Sequence, residues 1–154
     1  MKHELYRDSL VDRETPVIAT HQRERRVRWA DTDATGNATL PSLIRMMEET
    51  EYSFLRSRGL RVVLHDDRGI IGFPRLSASI QVHNSVQFES QVRITLELVN
   101  VDGKEIHYQF SMVDEDETLV AEGRFEIATC RFPAGDWPYA ILTPEFVIKK
   151  LTSA

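Results

Sequence analysis

The sequence predicts an α+β domain in which one amphipathic helix packs on an antiparallel sheet. Three observations carry this expectation. A single long helical period runs from Pro41 to Arg58, strict apolar–polar alternation fills much of the chain from Leu76 to Phe132, and turn signals join the alternating stretches as consecutive hairpins.

Taken in order, the first fifteen residues are polar and charged and read as a flexible arm, with residues 16–154 forming one domain. Arg23 to Ala30 reads as a first strand, followed by a polar turn segment from Asp31 to Ala38. Proline suits the first turn of a helix, where its missing N–H would be unpaired anyway, so Pro41 marks a start. Gly59 is a plausible C-cap, with Arg56 and Arg58 in the last turn, where cations are favoured. At 100° per residue Leu43, Met47, Thr50 and Phe54 share one stripe, flanked by Ile44, Met46 and Leu55. Arg45, Glu49, Tyr52 and Arg56 lie opposite.

The sheet follows. Leu76, Ala78, Ile80 and Val82 alternate with polar residues, as do Val92, Ile94, Leu96 and Leu98. Asp102-Gly103 is a hairpin signal, after which Ile106, Tyr108, Phe110 and Met112 alternate. The acidic run Asp114 to Glu117 makes the next turn, and Leu119 to Phe132 reads as one last long strand. Pro144 to Leu151 is compatible with a short terminal helix.

At 154 residues, 42% apolar and 28% charged, the chain has the composition of one globular domain. A net charge of -5 argues against a nucleic-acid partner. The N-terminus lacks the apolar core of a signal peptide and no stretch is long enough for a bilayer, so the expected setting is cytoplasmic, without membrane association. Cys130 is the only cysteine, excluding an intrachain disulfide, and reads as a core residue. Arg23, Arg25, Arg26 and Arg28 form a local basic run, which is either a solvated strand edge or a cradle for ligand phosphates. His65-Asp66-Asp67 has no second His or Cys at ligand spacing and reads as a loop; no metal or cofactor is expected.

The segment from Asp31 to Leu40 has the most chemistry for its length. It leads into a helix N-terminus, whose unpaired N–H groups and partial positive charge suit a carbonyl oxygen that becomes an oxyanion. Gly36 permits a sharp turn or a close approach to ligand. A carboxylate beside such donors can attack a carbonyl carbon or deprotonate a water. Aspartates before helices also serve as plain caps.

Val27-Arg28-Trp29-Ala30-Asp31-Thr32-Asp33-Ala34-Thr35-Gly36, running into the helix, resembles the signature of the 4-hydroxybenzoyl-CoA thioesterase family of hotdog proteins, and the likeness in element order extends from Arg23 to Phe132. The resemblance implies a five-stranded antiparallel sheet wrapped around the helix, and hydrolysis of an acyl-CoA or acyl-carrier-protein thioester. It implies Asp33 as nucleophile or general base, Asp31 as structural, and an oxyanion site from backbone N–H groups at Leu40 and Gly36. It further implies a homo-oligomer, a dimer or a tetramer, with active sites between subunits.

Where many relatives carry other side chains, this chain has Asn37, Thr39-Leu40 and Leu43, a change that backbone donors survive. Asn37 either positions a water or the thioester, or is a turn residue. Glu48 and Glu51 on the helix are candidate substrate-site groups or alternative bases; the competing account pairs them with Arg75 or Arg93. Two other functions fit such a fold: a non-catalytic acyl-CoA-binding module, and a dehydratase or hydratase, which would want a histidine that neither the turn nor the helix supplies.

Overall fold

The computed structural model describes residues 9–153. In chain order the elements are β1 (Ala19–Arg26), α1 (Leu40–Ser57), β2 (Val63–Asp66), β3 (Gly69–Gly72), β4 (Arg75–Val82), β5 (Gln91–Asn100), β6 (Glu105–Val113), β7 (Leu119–Ala128), β8 (Cys130–Phe132), β9 (Tyr139–Ala140) and α2 (Glu145–Thr152). Five strands form an antiparallel sheet in the order β1-β5-β6-β7-β4, and α1 packs against β1, β5 and β7. This is the expected hotdog arrangement. A second, smaller sheet runs β2-β3-β8-β9.

The expected helical stripe is the one that goes inside: Leu43, Met46, Met47, Thr50, Phe54 and Leu55 are buried. Facing them, Val92, Ile94, Leu96 and Leu98 present the buried side of β5, with Tyr108, Phe110 and Phe125 from β6 and β7. Burying each such side chain stabilises the fold by about 1.5–3 kcal/mol before entropy is counted. The aromatic centre is tightly meshed, Phe110 meeting Phe125 at 4.7 Å between ring centroids and Phe54 meeting Tyr108 edge to face at 6.1 Å. Gly123 in β7 lies beneath the helix: a Cβ there would stand 2.6 Å from Met47 Sδ and 3.3 Å from the Ser79 carbonyl, so any larger residue has to displace Met47. At the other end of α1, Gly59 takes φ +69° and Leu60 N–H returns to the Leu55 carbonyl at 2.9 Å, a glycine-dependent helix stop.

Three expectations need correction. The first strand is Ala19–Arg26 rather than 23–30, because the Asp31 carboxylate accepts from Arg28 N–H at 2.8 Å and curls Trp29–Asp31 into a short 3-10 turn. The stretch 119–132 is two strands, since Thr129 N–H turns to the Lys104 carbonyl (2.9 Å) and its hydroxyl to Thr143 (2.8 Å), passing the chain to the small sheet. His65 and Asp66 lie in β2, not in a loop, paired with Ile70 and Gly69 across a two-residue turn. Residues 1–8 of the expected arm lie outside the described residues. Ser9 is tied to Glu122, and Asp12 exchanges bonds with the Gln109 side chain at 2.6 and 3.2 Å, which holds this stretch against the sheet.

Candidate active site

The segment between β1 and α1 closes on itself. Asp33 N–H donates to the Asn37 carbonyl at 2.9 Å, Thr32 bridges Ala38, and Thr39 N–H donates to the Asp31 carbonyl at 2.9 Å. The two arms of this small loop therefore run antiparallel and deliver the second arm into the helix start. Gly36, at φ +82°, makes the reversal. From below, Phe88 N–H donates to the Gly36 carbonyl and Ala38 N–H to the Val86 carbonyl, so the stretch before β5 braces the loop.

The two aspartates have opposite environments. Asp31 is buried, gripped by Arg25 and by Arg28 N–H; burial works against its ionisation, but these bonds outweigh it and hold its carboxyl below the usual range. Asp33 is exposed at the loop tip. Its Oδ1 accepts from Thr35 hydroxyl (2.6 Å), Thr35 N–H (2.8 Å) and Asn37 N–H (3.3 Å), while Oδ2 takes none of these bonds. The Thr35 contacts hold the Asp33 carboxyl below its ordinary value. One oxygen orients the group, leaving the other to face a reactant. This constellation suits an ionised nucleophile or base.

The helix start is equally selective. Pro41 has no N–H, and Ser42 N–H is capped by Thr39 Oγ1 at 3.3 Å. Leu43 N–H reaches the Thr39 carbonyl. Leu40 N–H is thus the first-turn donor left unengaged among the described residues, and Leu40 itself is 49% exposed. Gly36 is a correction: its N–H donates to the Asp33 carbonyl at 3.0 Å, so it is spent on the turn rather than offered to an oxyanion. Asn37 Nδ2 donates to Thr35 Oγ1 at 2.9 Å, while its Oδ1 is buried without a partner, an acceptor waiting for a donor.

A family model described as the thioesterase-like superfamily matches residues 27–147. The chain belongs to the thioesterase-like superfamily. No curated protein matches it in sequence. Among solved structures, this thioesterase-like chain is similar in fold to a 1,4-dihydroxy-2-naphthoyl-CoA thioesterase from Synechocystis, at 17% identity and TM-score 0.76, covering 88% of this chain and 97% of that one. It is similar to a gentisyl-coenzyme A thioesterase at 23% identity and TM-score 0.71, covering 84% and 98%. It also resembles a variant 4-hydroxybenzoyl CoA thioesterase complexed with 4-hydroxybenzoyl CoA, at 14% identity and TM-score 0.73, covering 86% and 98%.

Within the thioesterase-like chain, Glu48 and Glu51 are not brought to Asp33. At about 1.5 Å of rise per residue, they lie roughly 12 and 16 Å along the axis from Leu40. Arg75 holds both, at 3.2 Å to Glu48 and 2.6 Å to Glu51, which is the pairing account. Arg75 also lies over the rings of Tyr52 and Phe125. Burial of Glu51 outweighs the attraction of Arg75 and pushes its carboxyl up to about 7.

The basic run is mostly consumed internally. Arg23 pairs with Glu49, Arg25 with Asp31 and Glu49, and Arg26 donates to the Glu89 carbonyl, so of the phosphate-cradle alternative only Arg26 and Arg28 keep exposed charges without a carboxylate partner among the described residues. From the sequence, Trp29 belongs to the motif and Phe88 to the stretch His83 to Ser90, a candidate wall of the acyl site. Their rings meet edge to face at 5.4 Å, 64% and 41% exposed, and with Leu40 they flank the Asp33 loop with apolar surface. Trp29 stood within the motif, but only folding brings Phe88 beside it. Glu105, His107 and Glu126 place their donor atoms within 4.8 Å of one another on the opposite face of the sheet from the helix; His107 Nε2 is bonded to Glu105 at 2.7 Å.

Proposed function

We propose that this chain hydrolyses an acyl-CoA or acyl-carrier-protein thioester to free acid and thiol. Asp33 attacks the thioester carbonyl or activates a water, and Leu40 N–H receives the developing oxyanion. One observation carries this reading: the Asp33 carboxylate is oriented through Oδ1 alone, in a loop that ends at the unengaged Leu40 N–H. Asn37, with its Oδ1 buried in the same loop, is the candidate for positioning a water there. The apolar rim of Trp29, Phe88 and Leu40 suits an acyl group, and three fold neighbours act on aryl thioesters of coenzyme A, so aryl acyl-CoAs head the substrate panel.

The reading includes self-association. β4 ends the five-stranded sheet, and Leu76 on it is 57% exposed, so a row of unpaired backbone groups faces outward for a second copy. Side-by-side pairing is the economical way for Glu48 of one copy to line the Asp33 site of another, whereas Glu51 is buried within its own copy. A monomer in light scattering at micromolar concentration would remove that part.

The test is thiol release from a panel of acyl-CoAs by wild type and Asp33→Asn. Amidation keeps shape and deletes charge, so the expected loss is about 10²–10⁴-fold in rate with an unchanged melting temperature. An Asp33→Asn enzyme that melts normally and turns over at the wild-type rate sinks the assignment. A second reading makes Glu51 the base, favoured by its carboxyl standing at about 7, close to an efficient base at neutral pH.

A further inference from the structure

The small sheet carries a surface that the thioester chemistry does not use. A cleft of about 690 Å³ is bordered by Arg68, Lys104, Arg131, Tyr139, Ile141 and Leu142. Its three cations come from separate segments: Arg68 from the β2–β3 turn, Lys104 from the β5–β6 turn, and Arg131 from β8, where it pairs directly across from Tyr139 of β9. The frame beneath them is cross-tied. Thr129 N–H donates to the Lys104 carbonyl and Thr143 N–H to the Gly103 carbonyl, each at 2.9 Å, and the Thr129 and Thr143 hydroxyls meet at 2.8 Å in a buried contact.

The charge there runs against the chain's net -5. Arg131 is spent on a two-pronged pair with Asp66, at 2.8 Å through each nitrogen, which fixes the wall. Arg68 and Lys104 are exposed and make no ion pair or side-chain hydrogen bond among the described residues. They are donors held on a braced frame without an acceptor. Cations alone would suit any anion, but Tyr139 (53% exposed) and Leu142 (68%) add an aromatic and apolar platform beside them. The volume falls in the range of about 300–1,000 Å³ common for small-molecule sites.

We propose that this cleft binds a phosphorylated nucleotide, with phosphates on Arg68 and Lys104 and the base against Tyr139. The ligand has two sources: the nucleotide end of coenzyme A itself, or a free nucleotide. The inference stands apart from Asp33, because binding needs no turnover.

The experiment is calorimetric titration of the full chain with coenzyme A, dephospho-coenzyme A, ADP and adenosine, against Arg68→Ala/Lys104→Ala and Tyr139→Ala. Since neither cation makes an ion pair or side-chain hydrogen bond among the described residues, and Arg68 acts on Asp66 only through its charge, the double variant is expected to keep its fold, checked by thermal melting. The expected result is about a tenfold or larger loss of affinity for the phosphorylated ligands in the double variant, with adenosine unaffected. Tyr139→Ala weakens every ligand, including adenosine. No wild-type binding at millimolar concentration, or equal binding by the double variant, overturns the proposal whether or not the chain cleaves thioesters.

Turnover of an accepted acyl-CoA and its acyl-pantetheine counterpart then separates the sources. A KM raised about tenfold in the double variant for acyl-CoA alone identifies the substrate's own nucleotide. An unchanged KM with lost ADP binding identifies a free nucleotide. Should no acyl-CoA be cleaved, the calorimetry decides by itself.

Discussion

Arg25 grips both carboxylate oxygens of Asp31, at 2.6 and 3.2 Å, across six residues of chain and out of contact with solvent. The pair fixes the corner from which the Asp33 loop projects. Breaking a buried pair costs about 3–5 kcal/mol where one charge is left uncompensated, but Arg25 keeps Glu49 at 2.8 Å, which brings the cost down to about 2–3 kcal/mol. Asp31→Ala is therefore expected to lower stability by roughly that amount in urea unfolding. Because the folded carboxyl is held below its unfolded value of 3.8, its contribution is present above that pH and is lost as pH falls through the lowered folded value. The difference between wild type and Asp31→Ala should accordingly shrink in acid. A constant difference down to pH 2 would contradict it.

The pH profile separates the two carboxylates that compete for the chemistry. Asp33 is held below 3.8, so a rate that depends on its ionised form is flat from pH 8 down to about 5. Glu51, standing at about 7, would instead impose an acid limb near neutrality. Measuring kcat/KM for one accepted acyl-CoA across this range decides between them.

Glu51 also predicts an unusual stability profile. A carboxyl raised from 4.5 to about 7 in the fold favours folding most below pH 4.5, and that advantage is lost as pH rises to about 7. Glu51→Gln removes the titration. Its stability should fall less than that of wild type between pH 4.5 and 7, by roughly 1–3 kcal/mol, as seen in denaturant midpoints. Parallel curves for the two proteins would show that Arg75 keeps Glu51 charged throughout.

Gly123→Ala tests the helix-to-sheet distance. The added methyl would meet Met47 Sδ at 2.6 Å, Met47 Cε at 3.1 Å and the Ser79 carbonyl at 3.3 Å. Overpacking of this kind costs about 1–3 kcal/mol, and Gly123→Val should cost more. Denaturation of the purified variants measures it. Wild-type stability in both would mean that α1 shifts freely on β7.

By itself the sequence determined the elements whose signals are local. The stripe Leu43, Met47, Thr50 and Phe54, the alternation of β5, the Asp102-Gly103 turn and the Asp33 motif all depend on neighbours within a few residues, where periodicity and turn chemistry act. Tertiary structure alone decided what depends on partners far along the chain. Glu51 was legible as a carboxylate on an apolar face with Arg75 or Arg93 as its partner, but the choice of Arg75, 24 residues away, and its raised protonation come from the fold around it. Leu40 and Gly36 were both offered as donors by the sequence, and two bonds only three residues long, Gly36 N–H to Asp33 and Ser42 N–H to Thr39, leave Leu40 as the open one. The basic run carried its charges plainly, yet only folding showed Arg23 and Arg25 paired with Asp31 and Glu49 while Arg26 and Arg28 stay exposed. The cleft of Arg68, Lys104 and Tyr139 had no sequence signal at all, because three separate turns and strands build it and no spacing along the chain records their meeting.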